Sequence, residues 1–496
     1  MERAGFWPRV HRLVPAVVVA VAVVMRRGEV AAASTDAVAH LLNRATFGPT
    51  AELVDEVRRV GTTAWVDAQL NAAPDADAAL DQRLAAYSTL TMSTAELLAA
   101  YPEQQAGMRD PATSPARIRA ELVAARIVRG VHATAQLREV LVDFWANHFN
   151  VYGSEGPTRW TITAYERDTL RPYVLGRFED LLRATAQSPA MLYYLDNYVS
   201  VASGARGEGS GINENYAREL MELHTLGVHG GYTQEDVEAV AHTLTGWTIT
   251  APRAGTIDFQ YVPRFHDPSP QAVLGSTIGR GQMDQGTSVL HALATHPSTA
   301  AFIARKLVQR FVNDEPPASL VKKVEEAFLS THGDLSAVMR TLLTAREFSS
   351  TRHRAAKLKA PLEFVVSALR AVGADMTNGW PAARLVGLLG QSLYEAVPPT
   401  GWSELAPAVV SASGMLSRVD AAQRISAGTL EGATVDTTQW NGTGTGRSGA
   451  TKLLSSILFR RTSKATRQAI QHAAEANASP TLQAALVLAS PEFQQQ

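Results

Sequence analysis

The sequence predicts an all-α protein, mainly helical: one large multi-helix domain with long loops and at most a minor β-hairpin. Three observations predict it. Apolar residues recur at steps of three and four along most of the chain, as on one face of a helix. Alternation with period two, the mark of a half-buried strand, is scarce. The third is composition: 496 residues with 46% hydrophobic and 19% charged can bury a substantial core and do not read as disordered.

The elements follow in order. Residues 1–33 read as a signal peptide: Arg3, Arg9 and Arg12 precede an apolar run over 13–24, and Ala31-Ala32-Ala33 offers a small-residue cleavage site. The run is shorter than the ~20 residues of a membrane-spanning helix, and no later segment approaches that length, so the mature chain is expected to have no membrane span. Arg26 and Arg27 follow the run, where positive charge opposes export, and a start at Met25 would remove the signal. The expectation is an exported protein, periplasmic or extracellular, or a cytoplasmic one if Met25 is the start.

The main helical domain is expected over 34–430. Within it, 134–148 places Leu137, Val140, Leu141, Phe144 and His148 on one stripe. Thr233 caps the next helix, with Asp236 three residues on and Val237, Val240, Ala241 and Leu244 as its core face. Ser298 or Thr299 caps a helix over 300–312, the pattern repeats over 320–329, and Pro361 opens a helix through Val372. A short hairpin or extended loop is expected within 248–262. Loops are expected at 103–115, 203–211 and 262–270. Residues 431–450 read as a Gly/Thr-rich loop or linker, within a stretch that begins at Gly428. Residues 451–496 read as a C-terminal helical segment packing on the main domain, or as an appended pair beyond a boundary near 430–450.

Charge and cysteine usage exclude several classes. A net charge of −1, with no dense Lys/Arg stripe, argues against nucleic acid as a partner. The absence of cysteine excludes disulfides, thiolate metal sites, iron–sulfur clusters and a cysteine nucleophile. No nucleophile elbow, Walker loop, His-Glu-x-x-His or EF-hand loop is present. The glycine-rich stretch 204–211 lacks the strand–turn–helix frame of a dinucleotide site.

The most informative stretch is Asn213 to Gly227. Asn213 can cap its start and Gly227 can close it in the left-handed conformation. At 100° per residue, Asn215, Arg218, Glu219 and Glu222 share one face, while Tyr216, Leu220, Met221, Leu223 and His224 take the other. His224 and Glu222 therefore cannot ligate one metal from an intact helix. Glu219 and Glu222, with Cβ atoms about 5–6 Å apart, fit an acid/base pair or a hard-cation site. They fit equally a solvated ladder in which Arg218 pairs with Glu214 and Glu222.

Other candidates carry paired readings too. His148, on an apolar stripe at a helix end, is either a satisfied core histidine or a base or ligand, and so is His224. His242 stands one turn after Glu238 and reads as a solvated pair. His266 and Asp267 fit the rim of a site. Trp247 either packs a corner or offers a flat face to a ligand.

Several runs together resemble one family. They are His40 to Thr50, Phe144-Trp145-Ala146-Asn147-His148-Phe149, Tyr194-Leu195-Asp196-Asn197, the stretch Asn213 to Gly227, and Leu244-Thr245-Gly246-Trp247. His266-Asp267-Pro268, the helix over 302–311, Lys359 to Phe364 and Pro398-Pro399-Thr400-Gly401-Trp402 continue the order. The chain resembles the Domain of Unknown Function 1800 family over about residues 38–405 and beyond. The resemblance implies an exported bacterial protein, in keeping with the leader, although Arg26 and Arg27 depart from a clean signal. It carries no settled catalytic residues.

Three functional expectations stand. The first is an extracytoplasmic hydrolase acting on a polymer or its fragments, with Glu219 and Glu222 as acid/base groups or ligands of a divalent metal. In it His148 assists, and Asn215, Arg218, Trp247, His266 and Asp267 serve substrate binding. The second is a haem or non-haem metal oxidoreductase with His148 or His224 as ligand. The third is a non-enzymatic scaffold partnering an envelope protein.

Overall fold

The computed structural model describes residues 37–73, 77–103, 110–409, 411–440 and 447–496. The expected signal peptide, 1–33, lies outside the described residues, as does part of the Gly/Thr-rich stretch, 441–446. Within them the chain forms 24 α-helices against three antiparallel strand pairs of two or three residues each, so it is mainly helical. Among the described residues no helix is long and apolar enough to cross a membrane.

Local rules account for most helix starts. Thr233 opens the Gln234–Thr243 helix with a capping box: its hydroxyl accepts from the Asp236 amide at 3.2 Å, and the Asp236 carboxylate accepts from the Thr233 amide at 2.9 Å. The Pro361–Ala371 helix opens on proline, with Glu363 accepting from the Ala360 amide at 2.7 Å. The Pro297–Phe311 helix starts earlier than Ser298 or Thr299. Pro297 takes its first position, and the His296 imidazole accepts from the Ser298 amide at 3.1 Å. An imidazole cap is outside the usual Ser/Thr/Asp/Asn set, so the sequence reading missed it.

Trp247–Ile249 pairs with Phe259–Tyr261 in the expected hairpin. A second hairpin joins Gln271–Val273 to Ser276–Ile278 through Leu274 and Gly275, both at positive φ (51° and 73°). Its strands are too short for alternation to show in sequence. A third pair, Asp375–Met376 with Ala433–Thr434, ties the chain just before 441–446 back onto the body.

One apolar core runs from Leu41 to Phe493 and includes Leu453, Ile457, Ile470 and Leu488 of the last helices. The terminus is also stitched in through its backbone: the Lys359 amide donates to the Gln494 carbonyl at 2.8 Å, and the Gln496 amide to the Lys357 carbonyl at 2.9 Å.

Charged side chains cross this core as a connected layer. Arg126, on the Ala116–His132 helix, meets Asp143 at 2.7 Å on Gln136–His148. Arg310, on Pro297–Phe311, meets Asp143 at 3.1 Å, Glu363 at 3.0 Å and Glu404 at 3.0 Å. The buried Tyr394 hydroxyl donates to Glu166, and Arg171 joins Glu166 (2.6 Å) to Glu139 (2.8 Å). Every buried charge named here has an opposite partner, which is what lets the layer exist at all.

Candidate functional site

The Gln136–His148 helix ends in a junction. The Asn147 amide donates to the Trp402 carbonyl at 2.8 Å and accepts from the Trp402 amide at 2.7 Å. Gly401 (φ 69°) presses so close that an added Cβ would sit 2.5 Å from the Asn147 carbonyl, and only glycine fits. Asn150 donates to the carbonyls of Ala396 and Pro398, both at 3.0 Å. Between them, His148 Nε2 lies 3.1 Å from the His224 carbonyl. A carbonyl only accepts, so Nε2 carries the proton and Nδ1 is left as a bare acceptor.

The partner segment departs from the uninterrupted α-helix expected over 213–227. Asn213 accepts from the Asn215 amide at 2.9 Å as a turn ahead of the Asn215–Glu219 helix, which then widens into a π-turn, Leu220–His224. The Thr225 hydroxyl donates five residues back to the Leu220 carbonyl at 2.7 Å. Gly227 closes the turn at φ 82°, its amide on the Met221 carbonyl at 3.1 Å. π-turns cost helix hydrogen-bond geometry and recur at functional sites. The two faces stay separate: Tyr216, Leu220, Met221 and His224 are buried, while Asn215 is exposed and Arg218, Glu219 and Glu222 are half-buried.

On the outer face, Arg218 bonds Glu214 at 2.9 Å and the Gln234 side chain at 2.8 Å, and stands 3.7 Å from Glu222. The ladder is therefore real. Glu219 has no part in it. Burial, and then the charge of Glu222, push its carboxyl above the usual carboxylate range, with Arg218 opposing. Burial, and then the neighbouring Glu222, raise the Tyr232 phenol to about 12. Tyr194 is likewise raised to about 12, first by burial, with the Glu219 charge contributing, and its hydroxyl donates to the Val397 carbonyl at 2.6 Å. Asn215 reaches Asp196 at 3.5 Å; Asp196 is exposed and holds a left-handed φ of 61°. Tyr193 and Tyr198 stack at 4.9 Å beside it. Asn147 and Asn150 hold the 396–402 loop, and so Val397, against this face.

On the inner face the rings of His148 and His224 stand 6.1 Å apart, with Phe302 against His148 and Lys306 over Phe302 at 5.6 Å. Burial, then the Lys306 charge, hold His224 down to about 3, and His148 falls well below its ordinary value for the same reasons. Both are neutral at pH 7. His148 Nδ1, His224 Nε2 and the Tyr216 hydroxyl make no hydrogen bond to described residues. His148 thus sits behind the helix that carries Glu219, not on the face that presents its carboxyl.

The remaining predicted residues lie elsewhere. Trp247 is fully buried, edge-on to Phe259 at 5.5 Å, and an added Cβ at Gly286 would be 2.6 Å from its ring. It packs the corner and has no free face. His266 is buried with both nitrogens engaged, Nδ1 with the Thr245 carbonyl and Nε2 with the Gln285 side chain, each at 2.9 Å. Asp267 accepts from Ser269 and stands 2.8 Å from His242 Nδ1, off the line of a hydrogen bond. Burial raises its carboxyl, but Ser269 and His242 outweigh that and hold it below the usual range. His242 therefore meets Asp267 and not Glu238, across a gap of 25 positions that helical spacing does not reach. No hydrogen bond or ion pair among the described residues links His266 or Asp267 to Glu219 or Glu222. Nor do any three His, Asp or Glu among them stand close enough to hold a metal ion.

Sequence reasoning missed Tyr232 and Lys306, which carry no local signal, and quoted Tyr194 without a role. In comparison with known proteins, a family model described as a protein of unknown function (DUF1800) matches residues 40–495. Neither the curated proteins nor the solved structures yield a match.

Proposed function

We propose a function from one premise, that this chain belongs to the DUF1800 family: it is an acid/base hydrolase of a polyhydroxylated polymer, and it works outside the cytoplasm. The observation that carries the reading is the unequal pair. Glu219 is favoured in its protonated form by burial and by Glu222, while Glu222 lies beside Arg218 and near the Tyr232 phenol. Two neighbouring carboxyls in environments that differ in this way are suited to opposite roles.

Glu219 donates its proton to the leaving oxygen as the C–O bond breaks. Glu222 takes a proton from the water whose oxygen forms the new C–O bond, and proton return through solvent restores the pair. Asn215 and Asp196 offer hydrogen bonds to hydroxyls, and the Tyr193–Tyr198 pair offers aromatic surface for sugar rings. The export signal read over residues 1–33 supports an extracytoplasmic setting.

The test is release of reducing ends from chitin, xylan, polygalacturonate and peptidoglycan by the purified protein. We expect a bell-shaped pH profile on one of them, and losses of about 10²-fold or more in Glu219→Gln and Glu222→Gln. Equal turnover in the wild type and both variants, or no release from any glycan, overturns the reading.

The inner face supports a second reading, metal redox chemistry at the neutral imidazoles of His148 and His224, whose free nitrogens are of the type metals take. With no third His, Asp or Glu in range among the described residues, it is the weaker of the two. Iron or copper at one equivalent in the purified protein, lost in His224→Gln, would favour it.

A further inference from the structure

A second feature of the surface lies outside the carboxylate face. Beside the Trp247–Ile249/Phe259–Tyr261 hairpin is an open cleft of about 590 Å³, lined by Arg206, Thr248, Gln260, Arg264 and Phe265 among others. The guanidinium groups of Arg206 and Arg264 stand 4.5 Å and 4.9 Å from the centre of the Phe265 ring. The two charges are thus within about 10 Å of one another, roughly one Debye length. Both arginines are exposed, and neither has a carboxylate partner among the described residues.

Arg206 is held in place. It donates to the Tyr198 carbonyl at 3.2 Å, and its backbone amide bonds the Ser210 hydroxyl at 3.0 Å. The loop that presents it turns through Gly204, Gly207 and Gly209, all at positive φ. A fixed arginine and a second one on the same ring repel each other, and no ion pair among the described residues offsets this. An oxyanion between them does offset it, and guanidinium forks suit carboxylates and sulfates.

A chain of contacts links the cleft to the proposed active face. The Tyr198 carbonyl accepts both Arg206 and the Thr248 hydroxyl, and the Tyr198 ring stacks on Tyr193. Two residues before Tyr198 is Asp196, which meets Asn215, one helical turn from Glu219. Cationic cleft, tyrosine pair and carboxylate pair therefore form one strip.

We propose that this cleft is an anion subsite for an acidic polysaccharide, so that the polymer cleaved at Glu219–Glu222 carries carboxylate or sulfate groups at intervals. The polymer part of this inference rests on the hydrolase reading; the anion subsite does not. Nucleic acid fits the strip less well. Its phosphate at every residue would be repelled by Asp196 and by Glu155, whose charge reaches Tyr193 and Tyr198, whereas a glycan charged at intervals places neutral rings there.

The test is affinity electrophoresis of the full chain in gels holding polygalacturonate, dextran sulfate, neutral dextran or single-stranded DNA. The proposal expects retardation by polygalacturonate or dextran sulfate and none by dextran. It expects binding to weaken at least tenfold in Arg206→Ala/Arg264→Ala, and to persist in Glu219→Gln. Arg264→Ala alone, which removes no hydrogen bond seen in the structure, is expected to weaken binding several-fold with an unchanged melting temperature; this guards against misfolding of the double variant. Equal binding by wild type and the arginine variants, or DNA bound as tightly as the acidic glycans, overturns the subsite. Competition by free galacturonate or sulfate at the same concentration of anion as the polymer overturns the polymer part and leaves a small-anion site. Loss of binding in the arginine variants, with reducing-end release unaffected by Glu219→Gln, refutes the hydrolase reading while the subsite stands.

Discussion

Glu219 is held in an environment that disfavours its own charge. A carboxyl whose pKa is raised in the fold contributes stability below the ordinary carboxylate range and loses it as pH rises through the folded value. Glutamine removes the charge that burial and Glu222 disfavour. Glu219→Gln is therefore expected to keep or slightly raise the melting temperature while activity falls, the usual opposition of function and stability at a working residue. A melting temperature lowered by several degrees would instead make Glu219 structural. The buried histidines act with the opposite sign. His40 and His224 are held to about 3, and His148 well below its ordinary value, mainly by burial. Unfolded imidazoles take protons below about pH 6.5, and these three do not until far lower, so stability falls as pH drops from 6.5. Between pH 6.5 and 5, above most carboxylate titration, each contributes a slope of up to about 1.4 kcal/mol per pH unit. Denaturation of His224→Gln across that window is expected to show a slope smaller by one proton; an identical slope would mean His224 is protonated in the fold. Residue type alone signalled Trp247 and His266 as site residues. Their burial, invisible to residue type, made one a corner and the other a pin.

At the scale of the element, the π-turn Leu220–His224 presents Glu222 outward and delivers the His224 carbonyl to His148. Its closure depends on Gly227. A Cβ there would meet the left-handed penalty and the Phe302 ring at 2.9 Å together. Gly227→Ala is expected to destabilise by about 1–3 kcal/mol, seen as a lower urea midpoint with an unchanged m-value. A neutral result would show that the turn can relax away from Phe302. The opposition of His224 to Glu222 was legible in the sequence, because burial follows the apolar stripe whichever helix type carries it. The π-turn was not. Over five residues its period differs too little from 3.6 for composition to register it. The Thr233 capping box was legible because donor and acceptor sit within one turn.

At the scale of the whole molecule, the charged layer joins helices far apart in sequence. Arg310 alone holds Asp143, Glu363 and Glu404. Arg310→Met keeps the volume but strands these carboxylates, Asp143 and Glu363 buried and Glu404 half-buried, and a loss of about 3–5 kcal/mol is expected, measured as a fall in the urea midpoint. A loss below about 1 kcal/mol would mean that Arg126 and water satisfy them instead. Nothing in the sequence marked this layer. Asp143, Arg310 and Glu363 lie on helices whose apolar stripes give their charged residues no role, and only packing turned these residues toward one another.

The sequence by itself determined the helical class, the helix stripes, several caps and the two faces of the 213–227 segment, because each is set by interactions within a few turns of chain. Tertiary structure alone decided which faces meet. It paired His242 with Asp267 and Tyr232 with Glu222, buried Trp247, and set Arg206 and Arg264 on one phenylalanine. Those pairings span up to 59 positions, and they follow from how the whole core packs, a sum over contacts that no local window of sequence contains.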